Sequence, residues 1–131
     1  MSHSPSLLRF ALAADAVASG ATGLLMLAGA GLLSPLLDIP TGHLTMAGLL
    51  LVPFVAFVAF TATRAVISRT AAHTIVELDL AWTIASFVLL FSGWIAPNAL
   101  GVAFVAGQAL AVLALGGLQF YALRQPALRT A

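Results

Sequence analysis

Charge is what this sequence lacks most. Only 7% of its 131 residues are Asp, Glu, Lys or Arg, 62% are hydrophobic, and the mean hydropathy is +1.12. A soluble domain carries roughly a quarter charged residues. A chain this poor in charge cannot cover itself with groups that hold water, so lipid must solvate it. Cysteine is absent, which removes disulfide exchange, thiolate catalysis and iron–sulfur ligation. Lysine is absent too, so all five positive charges are arginine. With Ala, Leu and Gly dominant, that bias points to a bacterial source. The formal net charge is only +1 and no basic block with interleaved aromatics occurs, so no nucleic-acid partner is expected. Catalytic signatures are missing as well: there is no metal-ligand cluster, G-x-S-x-G, phosphate loop or H-E-x-x-H. Neither an enzyme nor a resident cofactor is expected. His43 and His73 fall at opposite membrane faces, where they cannot share a haem.

What is present is a set of long apolar runs. They read as helices over about 7–33, 42–64, 73–96 and 98–123, separated by breakers at Ser34-Pro35, the Asp38–Pro40 turn, the segment 65–72 and Pro97-Asn98. Each is near or above the ~20 residues that cross a bilayer. The first is too long for a signal-peptide core, and Asp15 interrupts it. The expected fold class is all-α: a polytopic membrane protein, a single four-helix transmembrane domain spanning 1–131. Pro53 lies in the middle of the second helix, where a kink is the ordinary outcome.

Orientation follows from arginine. Arg9, Arg64, Arg69, Arg124 and Arg129 all fall on one side, and the 1–2 and 3–4 connections hold none. That bias places both termini in the cytoplasm and the chain in the inner membrane.

Two stretches echo one another. Asp15, Ser19, Thr22 and Gly29 recur later in the chain as Asp79, Thr83, Ser86 and Gly93, with offsets of 0, 4, 7 and 14 in both. The spacing sets each quartet on one stripe of a helix. Helices 1–2 and 3–4 therefore suggest two parallel helical-hairpin repeats, with chance likeness between Ala/Leu/Gly-rich helices as the rival. Small residues on these stripes suit the inter-helix faces of a membrane bundle. Phe54, Phe57, Phe60, Phe87 and Phe91 are expected to meet lipid.

The candidate proton or ion site is Asp15, Asp79 and Glu77, because an ionisable residue in a membrane span is a functional hypothesis by default. Glu77 stands about 200° from Asp79 around the helix, so the two do not share a face. Counted from the expected outer helix ends, both aspartates fall near the inner boundary. Arg9, Arg64 and Arg124 are the candidate charge partners. The plain reading is a ring of ion pairs at one leaflet; the sharper one is two aspartates sharing a proton. Gln108 lies deeper, with Ser19, Thr22, Thr83 and Ser86 as expected neighbours, either as an inter-helix polar contact or as a substrate contact.

Two functions remain open. One is a helical packing or accessory subunit of a membrane assembly, binding other membrane subunits or itself within the lipid bilayer. The other is an oligomeric proton- or cation-coupled small-solute transporter or channel using Asp15 and Asp79. A cavity reaching the aspartates and Gln108 would favour the second. Aspartates held by arginines, with no cavity, would favour the first.

Overall fold

The computed structural model describes residues 4–125, and these are all-helical, without strands. Arg129, one of the five arginines in the orientation argument, lies outside the described residues. The elements are α1 (Ser4–Ala28), α2 (Ala30–Leu37), α3 (Thr41–Thr63), α4 (Arg69–Ser92) and α5 (Ala99–Leu123). Four of them, α1, α3, α4 and α5, are long and apolar enough to cross a membrane. The expected four-helix transmembrane architecture is therefore present.

The first expected helix is in fact two. The chain turns at Gly29, whose φ of −105° and ψ of 11° depart from helical values. A side chain at Gly29 would put its Cβ 2.6 Å from the Leu25 carbonyl oxygen, so the turn requires glycine. Ser34-Pro35, read from the sequence as a stop, lies inside α2. A proline removes the bond to the carbonyl four residues earlier and crowds that carbonyl, yet α2 runs on to Leu37. Asp38 then caps it in the left-handed conformation at φ 61°. The corresponding glycine of the second stripe, Gly93, also ends its helix, at φ 84°. In both stripes the glycine that closes the quartet is thus a helix terminator.

Two side-chain caps fix where the later helices begin. Ser68 accepts from the Ala71 N–H at 3.1 Å, and Asn98 accepts from the Gly101 N–H at 2.8 Å. Such caps satisfy donors that a helix start leaves without partners. Asn98 also donates through Nδ2 to the Leu36 carbonyl at 2.9 Å and through its backbone N–H to the Leu37 carbonyl at 3.1 Å. That clamp joins the end of α2 to the start of α5. The close approach is possible because Gly101 carries no side chain, since a Cβ there would collide with the Leu37 carbonyl.

In cross-section α1 is central. It packs against α3 on one side and α5 on the other, and α4 packs on α5. The small-residue faces explain these choices. Gly23 and Gly48 let α1 and α3 approach closely, and Gly116 does the same for α5 and α4. By contrast α3 and α4 barely touch, which leaves a crevice along the bundle.

Along the bundle axis the interior is layered. At one end lies an apolar cluster of Leu8, Leu12, Val58, Ala62, Ala72, Ile75, Ala122 and Leu123. At the other lies a second apolar cluster, including Met26, Leu33, Leu37, Leu44, Leu51 and Val105. Asp15, Ser19, Asp79, Thr83, Ser86 and Gln119 are buried between them and form a polar layer.

Candidate functional site

Helix periodicity assembles the polar layer. Asp15 and Ser19 are one turn apart on α1, and the Ser19 hydroxyl donates to Asp15 Oδ1 at 3.0 Å. From α5, Gln119 Nε2 donates to Asp15 Oδ2 at 2.8 Å and reaches the Ala11 carbonyl at 3.4 Å. Asp15 is fully buried and both of its oxygens have partners.

Asp79 meets a different fate. On α4 the hydroxyl one turn on, Thr83, turns away from the carboxyl group. It donates instead to the Asp79 backbone carbonyl at 2.9 Å and to the Ala109 carbonyl of α5 at 3.2 Å. Asp79 is 1% exposed, yet among the described residues no N–H or hydroxyl donor reaches Oδ1 or Oδ2. The side chain presses on α5 at Gly116, where an added Cβ would lie 3.0 Å from Asp79 Cβ and 3.3 Å from Oδ2. Its carboxyl group also neighbours that of Asp15, close enough for their charges to interact. Two acids from the two distant stripes of the sequence thus converge beside Gly116 and Gln119, which are neighbours on one face of α5.

Among the described residues three buried side-chain atoms lack a hydrogen-bond partner: Asp79 Oδ1, Asp79 Oδ2 and Gln119 Oε1. All three are acceptors, and they belong to one cluster. Leaving such a group buried without a partner costs about 1–3 kcal/mol. What the cluster lacks is a donor or a positive charge.

The arginines are occupied otherwise than the ion-pair ring required. Arg9 donates to the backbone carbonyls of Ala62, Arg64 (2.8 Å) and Ala65 (3.3 Å), at the carboxyl end of α3. Arg69 does the same for α5, donating to the Leu123 carbonyl at 3.2 Å. A cation suits a helix carboxyl end, where the macrodipole is negative. Arg64 sits 4.4 Å over the Phe60 ring, and Arg124, which has a further interaction, 5.5 Å over the Phe120 ring. Among the described residues no arginine reaches Asp15 or Asp79. The reason is geometric. Asp15 lies near the middle of α1, which ends at Ala28, and Asp79 near the middle of α4, which ends at Ser92. From each acid to that helix end is about 20 Å of helix rise. Toward the arginine end, Asp15 lies about 9 Å of helix rise from Arg9 and Asp79 about 15 Å from Arg69, and both guanidinium groups are turned instead to backbone carbonyls.

Glu77 is exposed and faces away from Asp79, as their nearly opposite positions around α4 require. His43 and His73 are exposed as well. No group of three or more His, Cys, Asp or Glu that could hold a metal occurs among the described residues.

Gln108 anchors a second polar knot. Trp82 Nε1 donates to Gln108 Oε1 at 2.7 Å, and Gln108 Nε2 donates to Ser86 Oγ at 3.1 Å and to the Val105 carbonyl at 2.8 Å. Ser86 donates to the Trp82 carbonyl at 2.8 Å. Ser86 is thus the expected neighbour that bonds Gln108. Ser19 and Thr22 line a small void of about 40 Å³ with it, and Thr22 itself bonds back to the Ala18 carbonyl at 2.9 Å. Thr83 bonds elsewhere. Trp82 and Gln119 join the site beyond the residues expected from the sequence. A signal existed for both: Trp82 shares the α4 stripe with Asp79 and Ser86, and Gln119 is, with Gln108, one of two amides in an otherwise apolar helix.

The crevice between α3 and α4 opens onto these groups. Its inner part, about 500 Å³, is lined by Ser19, Leu51, Phe54, Phe57, Asp79 and Trp82 among others. An adjoining part of about 510 Å³ reaches Gln108, Ser86, His43 and Trp94. Leu50, Trp82 and Ala85 border both. Phe60 and Phe91 are exposed on the outer surface, as expected for lipid contact, whereas Phe54 and Phe57 turn toward the crevice.

The chain matches no protein-family model, and no curated protein or solved structure is significantly similar to it. A functional reading therefore rests on the geometry.

Proposed function

We propose that this chain is a bacterial inner-membrane protein with cytoplasmic termini that binds a proton or cation at the Asp15–Asp79 pair and couples it to movement of a small solute. One observation carries the reading. The only buried side-chain atoms without partners among the described residues are three acceptors gathered around these two acids. Two neighbouring carboxylates buried in the bundle need a compensating positive charge, either a shared proton or a bound cation. Membrane spans keep such groups chiefly where a pathway uses them. Gln108 and Ser19 border the same crevice system and supply polar contacts to a solute. The two hairpins, α1–α3 and α4–α5, act as parallel repeats about this centre. The matched pairs Arg9 and Arg69, and Phe60–Arg64 and Phe120–Arg124, support that symmetry.

The test is flux. Purified protein in liposomes should carry proton or monovalent cation current down a gradient, and Asp15→Asn and Asp79→Asn should each reduce it at least tenfold. Flux that neither substitution changes removes the coupling site. Orientation is checked separately, because the chain has no cysteine to interfere. In intact cells an impermeant maleimide should label Asp38→Cys and leave Ser68→Cys unlabelled.

A second reading has one observation in its favour. The side between α3 and α4, which barely touch, is open to a helix from another subunit or a second copy, as an accessory protein would require. Recovery of one stoichiometric membrane partner on gentle extraction, with no flux from the isolated chain, would favour it.

A further inference from the structure

The crevice differs from a site built for a bare ion. It is far larger than a proton or an unhydrated metal ion needs, and its walls are almost wholly apolar. Along the inner part, Asp79 and Ser19 supply the polar side chains, apart from the Trp82 indole N–H, which already donates to Gln108. Asp79 lines this cavity and Asp15 does not. Asp15 is satisfied by Ser19 and Gln119, so of the two acids Asp79 is the one left to meet a ligand. Beside it stand the rings of Phe54, Phe57 and Trp82, and aromatic faces attract cations.

We infer that the α3–α4 crevice binds a lipophilic organic amine in its protonated form, with the apolar body against Leu50, Phe54 and Phe57 and the ammonium N–H groups on Asp79. This rests on the reading of the Asp15–Asp79 pair as a cation site and names the class of cation. The match is one of opposites. The protein presents buried acceptors without donors, and a protonated amine presents donors without acceptors, carried on a body that the apolar walls accommodate. Charge balance follows, because the arriving ammonium replaces the proton held between the two carboxyl groups, and that proton leaves. Since α3 and α4 are barely in contact, the route in is sideways from the bilayer, where such amines partition.

The experiment uses the full chain in nanodiscs of zwitterionic phosphatidylcholine, so that the lipid itself does not concentrate cations. Trp94→Phe, at an exposed residue, leaves Trp82 at the crevice wall as the fluorescent reporter. Phenylbutylamine and the neutral phenylbutanol are titrated in parallel. The amine should bind about tenfold or more tightly than the alcohol, the advantage expected of a charge-assisted hydrogen bond in a buried site. Asp79→Asn should erase that preference while the alcohol still binds. Ala85→Phe, which fills the crevice from its wall, should weaken both. Equal binding of the two compounds, or a preference that survives Asp79→Asn, overturns the inference. Flux separates the two levels. Cation flux that depends on Asp79 without amine binding leaves the coupling site standing and removes the amine. Amine binding through Asp79 without flux leaves the binding site standing and removes the coupling.

Discussion

Replacing Asp79 by asparagine should make the protein more stable, which is the reverse of the usual outcome for a buried residue. The side chain keeps its volume, so packing against Gly116 is unchanged. What changes is its hydrogen-bonding inventory: two oxygens that only a proton shared with Asp15 can satisfy become one carbonyl and one NH₂. The new donor lies beside the Asp15 carboxyl group, and the demand for a compensating charge falls. With an unpartnered buried polar group costing about 1–3 kcal/mol, relief of one of the two gives a gain of about 1–3 kcal/mol. Asp15→Asn should behave oppositely. Asp15 Oδ2 accepts from Gln119 Nε2 at 2.8 Å, and an asparagine NH₂ placed there would meet another donor. Turning it the other way sets the NH₂ against the Ser19 hydroxyl, which must then rotate to accept. A loss of about 1 kcal/mol is expected, typical of an inter-helix polar contact in a membrane bundle. Reversible unfolding in mixed dodecylmaltoside–SDS micelles, followed by helical circular dichroism, measures both. An Asp79→Asn protein less stable than the wild type would refute the reasoning, because it would mean that a partner beyond the proton shared with Asp15 meets the Asp79 oxygens in the folded protein. A gain in stability accompanied by loss of flux is the pattern expected where a functional site is held at the expense of the fold.

Two further perturbations test how the layers are held. Gly101→Ala should cost about 3 kcal/mol in the same unfolding assay, because its methyl group would collide with the Leu37 carbonyl and with Pro97 and break the clamp made by Asn98. Trp82→Phe should cost about 1 kcal/mol, since Gln108 Oε1 would lose its 2.7 Å donor while the ring keeps its place between the two parts of the crevice. In that variant the emission of the exposed Trp94, just past the end of α4, should stay unchanged, which separates a local loss from a general one.

The two stripes show how far periodicity reaches and where it stops. Helical spacing sets Asp15 with Ser19, and Asp79 with Thr83 and Ser86, on buried faces, and that is where they are found. The same spacing could not tell that Ser19 would bond its aspartate while Thr83 would turn to the backbone. That choice depends on side-chain rotation and on the Ala109 carbonyl of α5, a residue far away in sequence. The arginines make the same point. Their clustering at one end was visible in the chain, but their partners are the last carbonyls of α3 and α5 rather than carboxylates. Helix ends attract cations wherever they fall, and here they hold Arg9 and Arg69 away from the acids.

The sequence by itself determined the solvent, the number of spans and the buried faces, because these follow from charge content, run length and helical period, all local properties. Only the tertiary structure decided which acid kept its partners and which was left bare. It also decided that α3 and α4 would stand apart and open a crevice beside the bare one. Those outcomes depend on which backbone can approach which. Glycines at 23, 48, 101 and 116 settle that by letting particular helices close, and the Gln119 amide of α5 reaches one aspartate and not the other.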